Sequence, residues 1–145
     1  MVEGDHGPLD WEKTGRAAQI FEDRLDGLVK SVQYIPDTLN PRAVKVELYD
    51  GIQADSSRFE IQWWDHHGYK YHYVEEGLEF RFGWERGDPD LPEKHFHPPE
   101  ALGDHEPSCI EHEEPLLVTL AVIKCWLDTA RSGDPSVLNQ QVNPP

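Results

Sequence analysis

The sequence predicts an α+β domain: a four-stranded antiparallel meander sheet with an N-terminal and a C-terminal helix packed on one face. Three observations carry this. Apolar residues recur every three or four positions near both ends, they alternate every second position between Val44 and Trp84, and the alternating runs are joined by short connections. The chain has 145 residues, the length of one domain, and can bury a core without disulfide staples.

Residues 1–9 are expected to be disordered and residues 10–133 to form the single domain. From Asp10 onward, Ala17, Phe21, Leu25, Leu28 and Val32 keep the period of a helix, with Asp10 as its N-cap and Pro36 and Pro41 beyond its end. The period then changes to two. Val44, Val46 and Leu48 alternate with Lys45 and Glu47, and Phe59, Ile61 and Trp63 with Arg58, Glu60, Gln62 and Trp64. Tyr69, Tyr71 and Tyr73 then alternate with Lys70 and His72, and Leu78, Phe80, Phe82 and Trp84 with Glu79, Arg81 and Gly83. Turns around Gly51–Ser57, at Gly68 and at Glu75–Glu76–Gly77 separate these strands.

The segment Gly87–His112 carries five prolines and four of the eight histidines and reads as a long loop, a kind usually functional or mobile. Pro115 suits the first turn of the last helix, and Glu111, Glu113 and Glu114 complement its positive end. Leu116, Leu120, Ile123, Leu127 and Ala130 are expected to form its inner stripe. Gly133 follows the helix, and residues 134–145 are expected to be a flexible tail.

Alternation assigns each strand residue to a face. One face collects Val46, Leu48, Phe59, Ile61, Trp63, Tyr71, Tyr73, Phe80 and Phe82, and the two helices are its cover. The other collects Lys45, Arg58, Lys70, His72 and Arg81, with Glu47, Glu60 and Glu79 among them and Trp64 at one end.

The net charge of −15, from 28 acidic and 13 basic residues, repels nucleic acid and anionic membranes unless the basic groups are gathered in one place. It is also the balance expected of a protein kept soluble in very high salt, a halophilic cytoplasm. An acidic start and the lack of any apolar run of membrane length predict a cytoplasmic protein with no signal peptide or membrane span. Cys109 and Cys125 are too few for a disulfide framework and lack metal spacing; Cys125, in an apolar helical stretch, is expected to be buried and inert.

Two readings of the polar face follow. One is a ladder of cross-strand ion pairs on a solvated sheet. The other is a phosphate site with Arg58 and Arg81 as clamps, Lys70 and Trp64 as further contacts, His72 as proton carrier and Glu79 as base or orienter. His95 and His97 follow the strand of Arg81, so their loop can return to this face. There a histidine titrating near neutrality can take a ribose 2′-hydroxyl proton while arginine and lysine, including the adjacent Lys94, hold the phosphate. No metal motif and no cofactor motif is found, and no dedicated metal site or cofactor is expected.

Tyr71-His72-Tyr73, Phe80-Arg81-Phe82, a Pro- and His-rich stretch with Leu91-Pro92 and His95-Phe96-His97-Pro98, then Glu106-Pro107-Ser108 and a closing helix resemble the TumE-type toxin family of prokaryotic toxin–antitoxin systems. The resemblance runs from about Arg58 to Ala130. It implies a growth-inhibiting toxin neutralised by a cognate antitoxin, a small DNA-binding protein encoded beside it, with RNA as the target by analogy with other small toxins. It places His72, Arg81, His95, His97 and Ser108 at the family's characteristic positions. Where the family tends to show an Asp-Asn-Ala-Pro-His run, this chain has Gly83-Trp84-Glu85-Arg86-Gly87-Asp88. The leading expectation is a metal-independent ribonuclease toxin; the alternative is a non-catalytic module binding a protein or small ligand.

Overall fold

The computed structural model describes residues 8–36, 39, 41–66, 68–85 and 93–140. Helix α1 (Trp11–Arg24) leads into β1 (Val29–Ile35), β2 (Ala43–Leu48), β3 (Ser57–Trp63), β4 (Tyr69–Glu75), β5 (Leu78–Trp84), β6 (Lys94–His97) and β7 (Glu106–Pro107), and helix α2 (Pro115–Ser132) follows. Each strand pairs antiparallel with its neighbour in sequence, giving the single order β1-β2-β3-β4-β5-β6-β7. The architecture is the expected α+β meander with two helices, but the sheet has seven strands rather than four.

The extra strands come from both flanks. The first helix was expected to run through Leu28 and Val32, yet it stops at Arg24 and the chain turns at Gly27, where φ is +88°. A spacing of four is compatible with either period. In the strand, Val32 and Tyr34 face Val46 and Val44 of β2, while Ser31 and Gln33 take the other side. At the far edge, β6 and β7 lie inside the stretch read as loop. Only Phe96 of Lys94–His97 is a large apolar residue, too little to register as a two-residue period.

The nine residues assigned to the apolar face are all fully buried, and Val44, Tyr69 and Phe96 join them. Aromatic rings fill the layer beneath the helices: Phe59 packs on Phe21 and Tyr73, and Phe96 on Phe82, at centroid separations of 4.7–5.0 Å. Buried polar groups fix the helices to this layer. The Thr14 hydroxyl accepts from the Trp63 amide at 3.1 Å, and Trp63 Nε1 donates to the Tyr71 hydroxyl, which meets Thr119 of α2. Asp10 caps α1 as expected, accepting from the Lys13 amide at 3.0 Å, and Gly133 closes α2 at φ +74°.

The inner stripe of α2 differs from the expected one. Ile123 of the expected stripe is buried with Val118, Thr119, Ala121, Val122, Cys125, Trp126 and Thr129, whereas Leu116 stays 37% exposed and Leu120, Leu127 and Ala130 are half-buried against the core. This helix is apolar nearly all round, so periodicity alone leaves its phase open. Both chain ends are tied in where described: Leu9 bridges Trp64, Leu138 is fully buried, and the Asn139 side chain accepts from the Cys109 amide at 2.7 Å. Among the described residues, no helix is long and apolar enough to cross a membrane.

Candidate functional site

Strand register brings the polar side chains into rows across the uncovered face of the sheet. The central row reads Gln33, Lys45, Glu60, His72, Arg81 and His97 from β1 to β6. Beside it run Gln62, Lys70, Gly83 and His95, and on the other flank Glu47, Arg58, Val74 and Glu79. The helices pack on the opposite face, so Arg58, Lys70, His72 and Arg81 emerge together, each partly exposed. Adjacent strands lie about 4.8 Å apart, so His72 and His97 flank Arg81 by one strand spacing on either side.

Charge pairing is uneven across this face. Arg58 Nε sits 2.9 Å from a Glu60 carboxylate oxygen. Among the described residues, neither Arg81 nor Lys70 has a carboxylate within ion-pairing distance. Burial lowers the Lys70 pKa from its ordinary value, and the neighbouring Arg81 charge lowers it further. A locally positive stretch of surface in an acidic chain is the arrangement that attracts an anion.

The two histidines of the central row are held differently. His72 Nε2 meets Glu79 Oε2 at 2.8 Å; with Glu79 ionised, the ring donates and its orientation is fixed. His97 Nδ1 lies 3.0 Å from the Leu102 carbonyl oxygen and 2.7 Å from that of Asp104. Both carbonyls can only accept, so Nδ1 carries the hydrogen, and in the neutral ring the lone pair is on Nε2. Burial lowers the His97 pKa, with Arg81 pulling the same way and the two carbonyl bonds opposing. The product is a neutral imidazole with a basic nitrogen beside an arginine.

His95 shares the face of His97 but is 2% exposed. Its ring lies against Gly83 so closely that a Cβ there would stand 2.8 Å from Nε2, and it meets the His97 ring edge-on at 5.0 Å. It is thus buried beside His97 rather than open to solvent. Lys94 is not brought to the site: alternation sends it to the helix side with Phe96, where it pairs with Glu113 and lies over Trp84 at 5.4 Å. Trp64 stands at the end of the polar face, packed over Gly68 and only 8% exposed, which leaves little ring for a base to stack on. The Ser108 hydroxyl accepts from the Ile110 amide in the segment before α2.

Two features of the site escape a reading of side chains. The Leu102 and Asp104 carbonyls that set the His97 tautomer belong to the backbone. The room for His95 depends on Gly83, whose signal was present, since a glycine inside a strand marks a close approach. Among the described residues, no group of three or more His, Cys, Asp or Glu side chains is arranged to hold a metal ion; His67 and residues 86–92, which include half of the departure from the family run, lie outside them. Cys125 is buried with its sulfur 4.0 Å from that of Cys109, and that contact and burial push its thiol pKa well up.

The model of the family described as Toxin TumE matches residues 17–127, about three quarters of the chain. The chain belongs to the TumE toxin family. Membership points to a toxin component with an antitoxin partner. The match runs from within α1 through most of α2, so it takes in the whole sheet and every candidate residue described above. Neither the curated proteins nor the solved structures gave a match.

Proposed function

We propose that this TumE-family toxin arrests growth by cleaving RNA in the cytoplasm, using the row His72–Arg81–His97. The observation that carries the reading is Arg81: a guanidinium without a carboxylate partner among the described residues, on an open sheet face of a chain with net charge −15, and flanked by two histidines. Arg81 and Lys70 hold a phosphodiester. Neutral His97 accepts the ribose 2′-hydroxyl proton at Nε2, and the 2′-oxygen attacks phosphorus as the bond to the 5′-oxygen breaks. Protonated His72, oriented by Glu79, returns a proton to that leaving oxygen. The products are a 2′,3′-cyclic phosphate and a 5′-hydroxyl, so atoms and charge balance without an added reactant.

Purified full-length protein incubated with RNA in the presence of a chelator, across a salt series, tests this reading. Cyclic-phosphate ends that disappear in Arg81→Ala and His97→Ala, together with loss of growth arrest in the same variants, support it. Growth arrest equal to that of the parent in both variants discards the assignments. Growth arrest without RNA cleavage at any salt favours a non-catalytic binding module.

A further inference from the structure

The expected stripe of α2 lies at the margin of the core, with Ile123 buried and Leu120, Leu127 and Ala130 half-buried against it. Leu116, Leu120, Ile123, Leu127 and Ala130 follow one another at intervals of four, three, four and three, a continuous helical stripe. Val118, Val122, Cys125 and Trp126 sit deepest, so the half-buried sides of Leu120 and Leu127 lie along the flank of α2 toward the end of α1. There an open groove of about 390 Å³ is lined by the buried Ile123, the half-buried Leu120 and Leu127, and the charged Arg24, Lys124, Asp128 and Arg131. Leu116 and Leu117, each 37% exposed, extend the apolar surface toward the start of the helix.

The charged lining identifies the occupant. Three cations face one acid, Asp128, which pairs with Lys124 at 3.1 Å and leaves Arg24 and Arg131 in excess. Against the −15 of the whole chain, this is a local reversal of sign beside an apolar lining. Two copies meeting groove to groove would set six cations against two carboxylates, so a two-fold pairing through this surface is electrostatically opposed. An apolar lining also does not suit a nucleic acid backbone. A helix whose leucines seat in the groove and whose flanks carry Asp or Glu satisfies both the shape and the charge.

We infer that this groove is the docking seat for an acidic amphipathic helix of the antitoxin. The inference rests on the toxin reading for the identity of the partner, but not on RNA cleavage, because the groove lies on the helix layer and the histidine row on the opposite face. Docking and toxicity are therefore separable by mutation.

The test uses the full chain and, as probe, the purified product of the reading frame beside its gene. Arg24→Glu/Arg131→Glu, both at exposed positions, keeps the core intact and is expected to weaken binding by at least about tenfold. Leu127→Asp is expected to weaken it comparably, with circular dichroism confirming the fold. Binding to the parent should weaken as salt rises from about 50 to about 500 mM, and binding to the double variant should depend on salt less. In cells the groove variants should still arrest growth but resist rescue by the neighbour, whereas His97→Ala should bind it normally. Unchanged affinity in both groove variants overturns the inference, as does a neighbour protein that does not bind at all. A dimer of the chain that the same substitutions dissociate in sedimentation overturns it too, by showing a second copy as the occupant. Growth arrest by the parent is scored separately, so loss of the docking seat and loss of the toxin reading give different results.

Discussion

The two ends of the polar face carry similar residues in opposite states. At the β2–β3 end, Arg58 is held by Glu60, and Glu47 accepts from the Ser31 hydroxyl at 2.7 Å, the main cause of its lowered pKa. Just beyond, the buried Glu75 carboxylate accepts the backbone amides of Ile52, Gln53 and Ala54 at 2.7–2.9 Å and the Tyr73 hydroxyl. At the β4–β6 end, Arg81 and Lys70 lie side by side without a described carboxylate partner, and the lowered pKa of Lys70 records their mutual repulsion after that of burial. The comparison teaches that charge on a sheet face marks a site only where it is left uncompensated. Satisfied charges stabilise the fold; unsatisfied ones are available to a ligand.

The largest expected effect breaks this contrast at Arg81. Arg81→Ala should lower RNA cleavage by about 10²–10³-fold, the range for removing a group that stabilises developing charge. Arg58→Ala should change it by less than about threefold, because its partner is already a carboxylate. Initial cleavage rates for the two variants check the pair, and equal losses would erase the distinction between the ends.

His97→Ala should cost about 10²-fold, as for loss of a general base, and the parent should lose activity as His97 protonates on acidification. The effect on stability has a definite sign. Burial and Arg81 hold the native pKa below the unfolded value of 6.5, so the unfolded chain binds more protons between the two values. The contribution of His97 is present above about pH 6.5 and is lost as pH falls through the native pKa. Urea midpoints at mildly acidic and neutral pH should therefore differ less in His97→Gln than in the parent.

Glu75 sharpens the comparison from the satisfied end. Glu75→Ala strands three amides and a tyrosine hydroxyl, and should lower stability by about 2–3 kcal/mol. Cleavage per folded molecule should stay near that of the parent. Denaturant unfolding combined with rates at low temperature separates the two effects.

How much of this was legible in the sequence depended on how many apolar side chains marked each element. Strands β2 to β5 each carry at least three on the core side, so their phase, and the joint emergence of Arg58, Lys70, His72 and Arg81, followed from alternation. β6 has Phe96 alone, so the strand that sets His97 beside Arg81 read as loop, and Lys94 was placed with histidines from which its parity separates it. α2 was read only in part for the opposite reason, having enough apolar residues for two stripes that share the buried Ile123. Its inner one was decided by Trp126, Val118 and Val122 filling the space above the aromatic layer, a tertiary choice that periodicity does not encode.

The smallest effect concerns Gly83, where the register of the site and the packing of the sheet meet. Its backbone is not in the left-handed region, so the nearest obstacle to a side chain is the His95 ring, 2.8 Å from an added Cβ. Gly83→Ala should push the buried imidazole toward His97, whose ring it meets at 5.0 Å, at a cost of about 1 kcal/mol in stability. The functional loss should exceed what that cost implies, because Nδ1 of His97 must keep both the Leu102 and Asp104 carbonyls to present Nε2 as base. A few-fold fall in cleavage with an altered acidic limb is the expected result, read from rates and pH profile together. A stability loss with an unchanged profile would show that His95 fills space without positioning His97.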